Sequence, residues 1–449
     1  MSSKRSLTHG SILRSLLYFT LPMMLGALLQ QAYNLTDTWI VGHFLGTHAL
    51  AAVGASYTLL VFLVSILGGL AMGSGTVVSM YYGSGNMLGL RRSFFMAFVL
   101  IGLISLGLTL GMFVGMDSLL YFLQIPPDVY VEMRSYLWIS FWGIPWICFY
   151  NFYSAMLRAV GDSLMPLYFL ALSVVLNVLL DLWFIQVLAW GVAGAAAATV
   201  VAQCIAAVGL GVYVCLQRPE FRCTKKDVCW DLACLREILS FSTLTCLQQS
   251  VMNLGILMVQ GLVNSFGAVV MAAFAIAVKI DALAYMPVQE FGNAFSTFVA
   301  QNFGACQFGR IRQATYLAFL LSGVFSLLVS VVIFIYAESL MKLFIASSEQ
   351  DVVQVGVQYL RIEGAFYVGI AFLFLLYGYY RAIRMPVMSV ILTVLSLGTR
   401  VGLAYFLASM PEVQVLGIWW SIPIGWFIAD AVGLGCYRYL SRKTPMRHC

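Results

Sequence analysis

The sequence predicts an all-α integral membrane protein, with twelve transmembrane helices in two six-helix lobes related by a parallel pseudo-two-fold repeat. Three observations carry that expectation. Of 449 residues, 62% are hydrophobic and only 9% charged, where a soluble chain would carry roughly a quarter charged residues. Apolar stretches of about 20 residues, long enough to cross the hydrocarbon core, recur from end to end. Short local patterns in the first half return in the second.

Each apolar run must be a helix, because in lipid a span has to satisfy its own backbone polar groups. The 39 glycines fit this reading, since glycine lets membrane helices pack closely. The first span, 12–41, contains Pro22 and Asp37. It is too long and too polar to be a cleavable signal peptide. The second, 51–80, runs into the turn Gly83-Ser84-Gly85-Asn86, and Arg91 and Arg92 introduce the third, 94–123. Asp128 and Glu132 precede the fourth, 134–158, which stops at Arg158. The fifth, 164–187, follows Gly161-Asp162, and a Gly/Ala-rich sixth covers 191–216. After a long polar connection come spans 236–262 and 268–300. Arg310 and Arg312 precede 313–343, and Glu349 and Asp351 precede 355–380. Pro386 opens 386–409, and Pro411 and Glu412 separate it from 414–438.

Most of the 24 Lys and Arg residues fall on one set of connections, from Lys4 and Arg5 through Arg218, Arg222, Lys225 and Lys226 to Arg442, Lys443 and Arg447. The opposite connections carry Asp117, Asp128, Glu132, Glu349, Asp351 and Glu412. The positive-inside rule then places both termini in the cytoplasm of a cell (plasma) membrane, in a cell read as bacterial. Topology accounts for the net charge of +6, and no nucleic-acid partner is needed. The ten scattered cysteines read as unpaired thiols, and Cys223, Cys229 and Cys234 lack metal-ligand spacing. The four histidines, His9, His43, His48 and His448, lie in termini or an outer loop. That argues against a membrane-embedded enzyme, which needs a nucleophile–base pair or a metal cluster. A channel is disfavoured for want of a re-entrant filter segment.

The longest connection divides the chain into a lobe at 1–216, a cytoplasmic link at 217–235 and a second lobe at 236–449. Leu28-Leu29-Gln30-Gln31 is echoed by Cys246-Leu247-Gln248-Gln249, and Arg158-Ala159-Val160 with Pro166 by Arg381-Ala382-Ile383 with Pro386. Each half has an even number of spans, so the repeat axis lies along the membrane normal. Two such lobes suit alternating access around a central cleft.

Ionisable residues inside spans are costly and are functional candidates by default. Asp37 shares a helical stripe with Gln30, Tyr33 and Asn34. Asp181 follows Asn177 by one helical turn, and Thr199 on the sixth span can add a hydroxyl. Two carboxylates with amide and hydroxyl oxygens suit a proton or a hard cation such as Na⁺. Their counterparts in the second half fall near Gly255 and Val401, neither charged, so the coupling site is expected in the first half alone. Lys279, Asp281, Glu290 and Arg400 read as a structural charge network, with Glu290 or Asp281 paired to Arg400. Pro22 gives either a static kink or a hinge coupled to Asp37. Gln30, Tyr33, Asn34, Tyr150, Tyr153, Gln249, Tyr285, Glu290 and Tyr377 are candidate cleft residues, on an adaptable aromatic and Met lining that suits bulky cationic guests.

These features together resemble the MATE (multidrug and toxic compound extrusion) family over essentially the whole chain. The resemblance rests on Leu21-Pro22 with Asp37-Thr38-Trp39-Ile40-Val41-Gly42, on Arg158 through Asp162, and on Asn177 through Asp181. Gly191 through Thr199 and Gln301-Asn302-Phe303-Gly304-Ala305 complete it. It implies antiport of organic cations and drugs against H⁺ or Na⁺, with no cofactor, by a chain read as monomeric with membrane lipid around it. In the DinF-like branch, the cation-site residues would fall on Asp37, Asn177, Asp181 and Thr199, and the bending proline on Pro22. The NorM-like branch places acids on the seventh and tenth helices. Here the seventh has none after Glu237, and Glu363 lies early in the tenth. A lipid or lipid-linked-precursor flippase is the alternative, but it would require more cleft cations than Lys279 and Arg400.

Overall fold

The computed structural model describes residues 6–122, 127–223, 230–344 and 349–443. Among these there is no strand. The described residues form thirteen α-helices: α1 Ile12–Leu45, α2 Thr47–Gly83, α3 Met87–Phe122, α4 Pro127–Ala159, α5 Leu164–Leu182, α6 Gly191–Gln217, α7 Leu232–Asn264, α8 Ala268–Gly304, α9 Phe308–Lys342, α10 Gln350–Gly364, α11 Tyr367–Ala382, α12 Pro386–Ala408 and α13 Val415–Lys443. Ten of the described helices are long and apolar enough to cross a membrane. The α10–α11 pair, bent by 51°, makes an eleventh span. The 33-residue α4, rich in Trp and Tyr rather than aliphatic residues, makes the twelfth. The expected tenth span is thus a broken helix. Apolar side chains on α3 such as Leu103, Leu106, Leu110 and Val114 are exposed, an apolar stripe of the kind that marks a membrane or interaction surface.

By packing, the chain divides into two units. The first is built on Leu25–Cys246, and the second on Leu7–Met24 with Leu247–Cys449. The sequence places the division in the 217–235 connection; the packing places it inside α1 and α7. The opening turns of each of these helices therefore belong with the other half of the chain. Residues 224–229 of the connection, Cys229 among them, lie outside the described residues. Among the described residues, Cys148, Cys204, Cys215, Cys234 and Cys436 carry free thiols. Cys306 is disulfide-bonded, against the expectation of unpaired thiols and with no signal in its spacing.

The repeat is written into the turns. Gly46, Gly85, Gly161 and Gly191 adopt left-handed φ, and residues 221 to 223 positions later, Gly267, Cys306, Arg384 and Gln414, do the same. In three of the four the second half accepts the strained conformation without glycine, so register rather than residue type has been kept. In the first unit α4 packs against both α2 and α6, and in the second α8 and α12 pack on α11 and α13 respectively. Small residues permit this closeness. A Cβ on Gly378 of α11 would lie 2.5 Å from the Gly292 carbonyl of α8, so the two backbones touch.

Candidate functional site

In the first unit, three helices bring the candidate cation residues together. Tyr33 and Asp37 lie one turn apart on α1, as do Asn177 and Asp181 on α5, so each pair shares a helix face. Thr199 joins them from α6. Its hydroxyl lies 3.2 Å from the Tyr33 hydroxyl and accepts a hydrogen bond from Asn177 Nδ2 at 3.3 Å. The carboxyls of Asp37 and Asp181 face each other within direct interaction range. Asp181 is 0% exposed and Asn177 1%. Among the described residues, Asp37 Oδ1, both oxygens of Asp181 and Asn177 Oδ1 are buried without a well-formed hydrogen bond, and no described salt bridge reaches either carboxylate.

Burying two unpaired carboxylates costs several kcal/mol unless something positive or a proton is shared between them. The donor set is all oxygen: two carboxylates, an amide carbonyl and two hydroxyls. That set fits a proton or a small hard cation and offers nothing to a soft metal.

Local sequence sets this geometry. Directly after Asp181 the helix widens into a π turn, Trp183–Val187, a distortion that often accompanies functional sites. Leu188 N closes it by donating to the Trp183 carbonyl at 3.1 Å. The Gly/Ala-rich start of α6 then lies close against it: a Cβ on Gly194 would sit 3.2 Å from Phe184 Cβ. An apolar cluster that includes Ile40, Val41, Val53, Ile185 and Val192 forms about one turn beyond each acid in the chain. Tyr136 on α4 belongs to that cluster and interacts electrostatically with Asp37, Tyr33 and Asp181. It was not foreseen, because its role comes from α4 packing and leaves no local motif. Pro22 lies fifteen residues before Asp37, inside α1 and two residues short of the point where α1 passes between units.

The candidate cleft residues scatter. Tyr33 belongs to the acid site. Asn34 Nδ2 donates to Gln31 Oε1 at 3.2 Å and to the Tyr57 hydroxyl at 3.3 Å. Tyr150 donates to the Pro166 carbonyl at 2.9 Å, a tie between α4 and α5. Tyr153 packs with Phe98 and Phe149 along an apolar groove. Gln30 and Gln249 are half-buried on α1 and α7. Glu290 accepts from Asn293 Nδ2 at 3.1 Å, and Arg381 donates to Asn293 Oδ1 and to Ser296 Oγ, both at 3.3 Å. Tyr285 and Tyr377 line a cavity of about 80 Å³ in the second unit.

That cavity also holds Asp281 from α8, Glu363 from α10 and Arg400 from α12, which are 4%, 3% and 9% exposed. Asp281 and Glu363 interact with each other and with the Arg400 guanidinium, while the Tyr367 and Tyr359 hydroxyls face Asp281 and Glu363 respectively. Of the two partners expected for Arg400, Asp281 is the one that lines its cavity, although Arg400 Nε, Asp281 Oδ1 and Glu363 Oε2 are each buried without a well-formed hydrogen bond among the described residues. The structure adds Glu363, whose place early in the tenth span gave little hint of a partner across the bundle. Glu290 belongs instead to the Asn293–Arg381 network, and Lys279, two residues from Asp281, is exposed. The neighbouring Asp430 on α13 is 5% exposed, with both oxygens unpartnered among the described residues. The sequence reading passed over it.

Comparison with known proteins places this geometry. A family model described as MatE matches residues 22–183 and 244–406. The chain is similar to the "Probable multidrug resistance protein YpnP" of Bacillus subtilis, with 32% identity over 87% of this chain and 86% of the relative. It is also similar to the "Probable multidrug resistance protein NorM" of Thermotoga maritima, with 26% identity over 91% of this chain and 88% of the relative. Among solved structures, a multidrug resistance MATE family transporter in an outward-facing conformation superposes with a TM-score of 0.93 at 24% identity. The match covers 99% of each chain and shows the shared fold.

Proposed function

We propose how this chain works from one premise: it belongs to the MatE family. It acts as a secondary exporter, moving organic, often cationic compounds out of the cell against H⁺ or Na⁺ by alternating access. It does so as a multi-pass protein of the plasma membrane with both termini in the cytoplasm. Relatives whose names describe multidrug resistance support the substrate class.

The observation that carries the reading is the pair of facing carboxylates, Asp37 and Asp181, buried with no basic partner among the described residues. An ion or proton entering there removes the repulsion between two like charges on different helices. Tyr33, Asn177 and Thr199 hold that geometry and supply further oxygens. Loading and unloading thus changes how strongly α1 and α5 are drawn together. Pro22 gives α1 a place to bend in response, because it lacks the amide hydrogen that would stiffen that turn. In the second unit Arg400 already supplies a positive charge to Asp281 and Glu363, so that cluster is assigned a structural role. The same engagement leaves Arg400 poorly placed to meet a lipid phosphate, which argues against the flippase reading.

The test is efflux from proteoliposomes under an imposed H⁺ or Na⁺ gradient. Export of a fluorescent cationic dye should follow the gradient in the wild-type chain and be lost in Asp37→Asn and in Asp181→Asn at unchanged expression. Gradient-driven export retained in both variants would place the site elsewhere. Scrambling of labelled lipid without dye transport would favour the flippase.

A further inference from the structure

Gln301 and Asn302 take no part in the acid site, yet both are 0% exposed. Polar side chains so deeply buried need partners, and the start of the chain provides them. Gln301 Oε1 accepts from Leu7 N at 3.1 Å, and Asn302 Nδ2 donates to the Leu7 carbonyl at 3.3 Å and to Phe298 O at 2.8 Å. The Arg310 guanidinium then donates to the carbonyls of Gly10, Leu7 and His9 at 2.7, 3.2 and 3.1 Å. Charge-assisted bonds of this kind are among the strongest a backbone segment can receive. Beyond them Leu16, Phe19, Thr20 and Met23 of α1 are buried, and Leu7–Met24 as a whole packs with the second unit.

The opening turns of α7 show the same arrangement in the first unit. Asp231 caps the helix, accepting from Ala233 N and Cys234 N at 3.1 and 3.2 Å, and pairs with Arg92 at 3.3 Å. Ser242 Oγ lies 2.8 Å from Ser74 Oγ and donates to the Leu70 carbonyl at 3.0 Å. Any Cβ on Gly69 or Gly73 of α2 would come within 2.7 Å of the α7 backbone. α7, however, has no internal proline.

We infer that the opening turns of α1 travel with the second unit throughout the transport cycle, with Gln301, Asn302 and Arg310 as the positioning residues that hold them and Pro22 as the joint where α1 leaves that unit. This rests on the exporter reading above. It makes the Gln301-Asn302 motif a dock for the N-terminal segment, with no role in binding ion or substrate. It also explains why the proline lies where it does: a helix whose two ends belong to different bodies bends where its hydrogen-bond ladder is already interrupted.

The experiment joins the segment to its dock. In a background with the free cysteines replaced by serine, Leu7→Cys and Gln301→Cys are linked by a short bis-thiol reagent, and dye export is measured before and after linking. Export within twofold of the unlinked protein is expected. Export that stops on linking and returns on cleaving the linker would show that the contact must part, and would overturn the inference. Asn302→Ala alone should slow turnover about tenfold with KM within twofold, and linking should restore it; a rise in KM with turnover unchanged would also overturn it. Hydrogen exchange on the wild-type chain in nanodiscs keeps the question open to decision if the variants fold poorly or the exporter reading fails. Amides of residues 15–21 should stay equally protected with and without ion and dye. Loosening on addition of either counts against the inference.

Discussion

The two units build an acid site on the same duplicated frame, and they fill it in opposite ways. At the spacing set by the turns, Tyr136 of the first unit corresponds to Tyr359 of the second, and Asn177 to Arg400. Even the tyrosine's partner is matched in place: Tyr136 interacts with Ser140 and Tyr359 with Glu363, 223 positions on. The acids themselves are not matched. At the turn spacing Asp37 and Asp181 fall on Met258 and Ala404, three residues beyond the Gly255 and Val401 expected from the sequence repeat, and Asp281 falls on Leu60. Where the first unit has a neutral amide beside two carboxylates, the second has a guanidinium. The turns keep their register between the halves, while the residues that carry and face the acids differ.

That contrast gives the variants opposite signatures. The largest effect is expected from Asp181→Asn, which should lower gradient-driven export roughly a hundredfold, on the scale of strong coupling between sites. Thermal stability in detergent should be kept, because removing an unpaired charge strands no partner. Arg400→Gln should do the reverse. It leaves two carboxylates buried without their cation and should cost about 3–5 kcal/mol of stability, read as a fall in the thermal midpoint. Adding Asp281→Asn should recover part of that loss. A normal midpoint in Arg400→Gln would mean that the second site is as open to ions as the first.

Pro22→Ala should slow export roughly tenfold, about 1.4 kcal/mol on the barrier, with dye affinity unchanged. Equal turnover would reduce the proline to a static kink. The smallest effect is at the α7 cap. Backbone N–H groups of Cys234 and Ala233, together with Arg92, hold the Asp231 carboxyl below its ordinary range. A depressed carboxyl stabilises above its unfolded value and loses that contribution as pH falls through the folded one. Hydrogen exchange in the first turn of α7, normalised to the intrinsic amide rate at each pH, should therefore be flat from pH 7 to 5 and rise only below about 4. A rise near pH 6 would rule out Asp231 as its source.

Much of the architecture was legible because lipid imposes it: apolar runs had to be helices, and basic residues had to gather on one set of connections. The first acid site was legible for a related reason. Asp37 and Asp181 stand in apolar spans beside Tyr33 and Asn177 at one-turn spacing, a local pattern. Glu363 and Tyr136 were not, since each matters only through a neighbour on another helix. The passage of α1 and α7 between units left no trace in composition. It depends on the fit of Gly69 and Gly73 to a distant backbone and on Arg310 reaching three carbonyls.

The central claim is that the first unit's carboxylates carry the coupling ion. Its most direct test is ion movement measured alongside substrate movement by purified protein in proteoliposomes, with H⁺ and Na⁺ replaced in turn. The account predicts that dye export moves one of these ions in the opposite direction, and that the ion signal disappears in Asp37→Asn and Asp181→Asn while dye binding persists. Ion movement that survives in both variants, or wild-type export that needs neither ion, would contradict it.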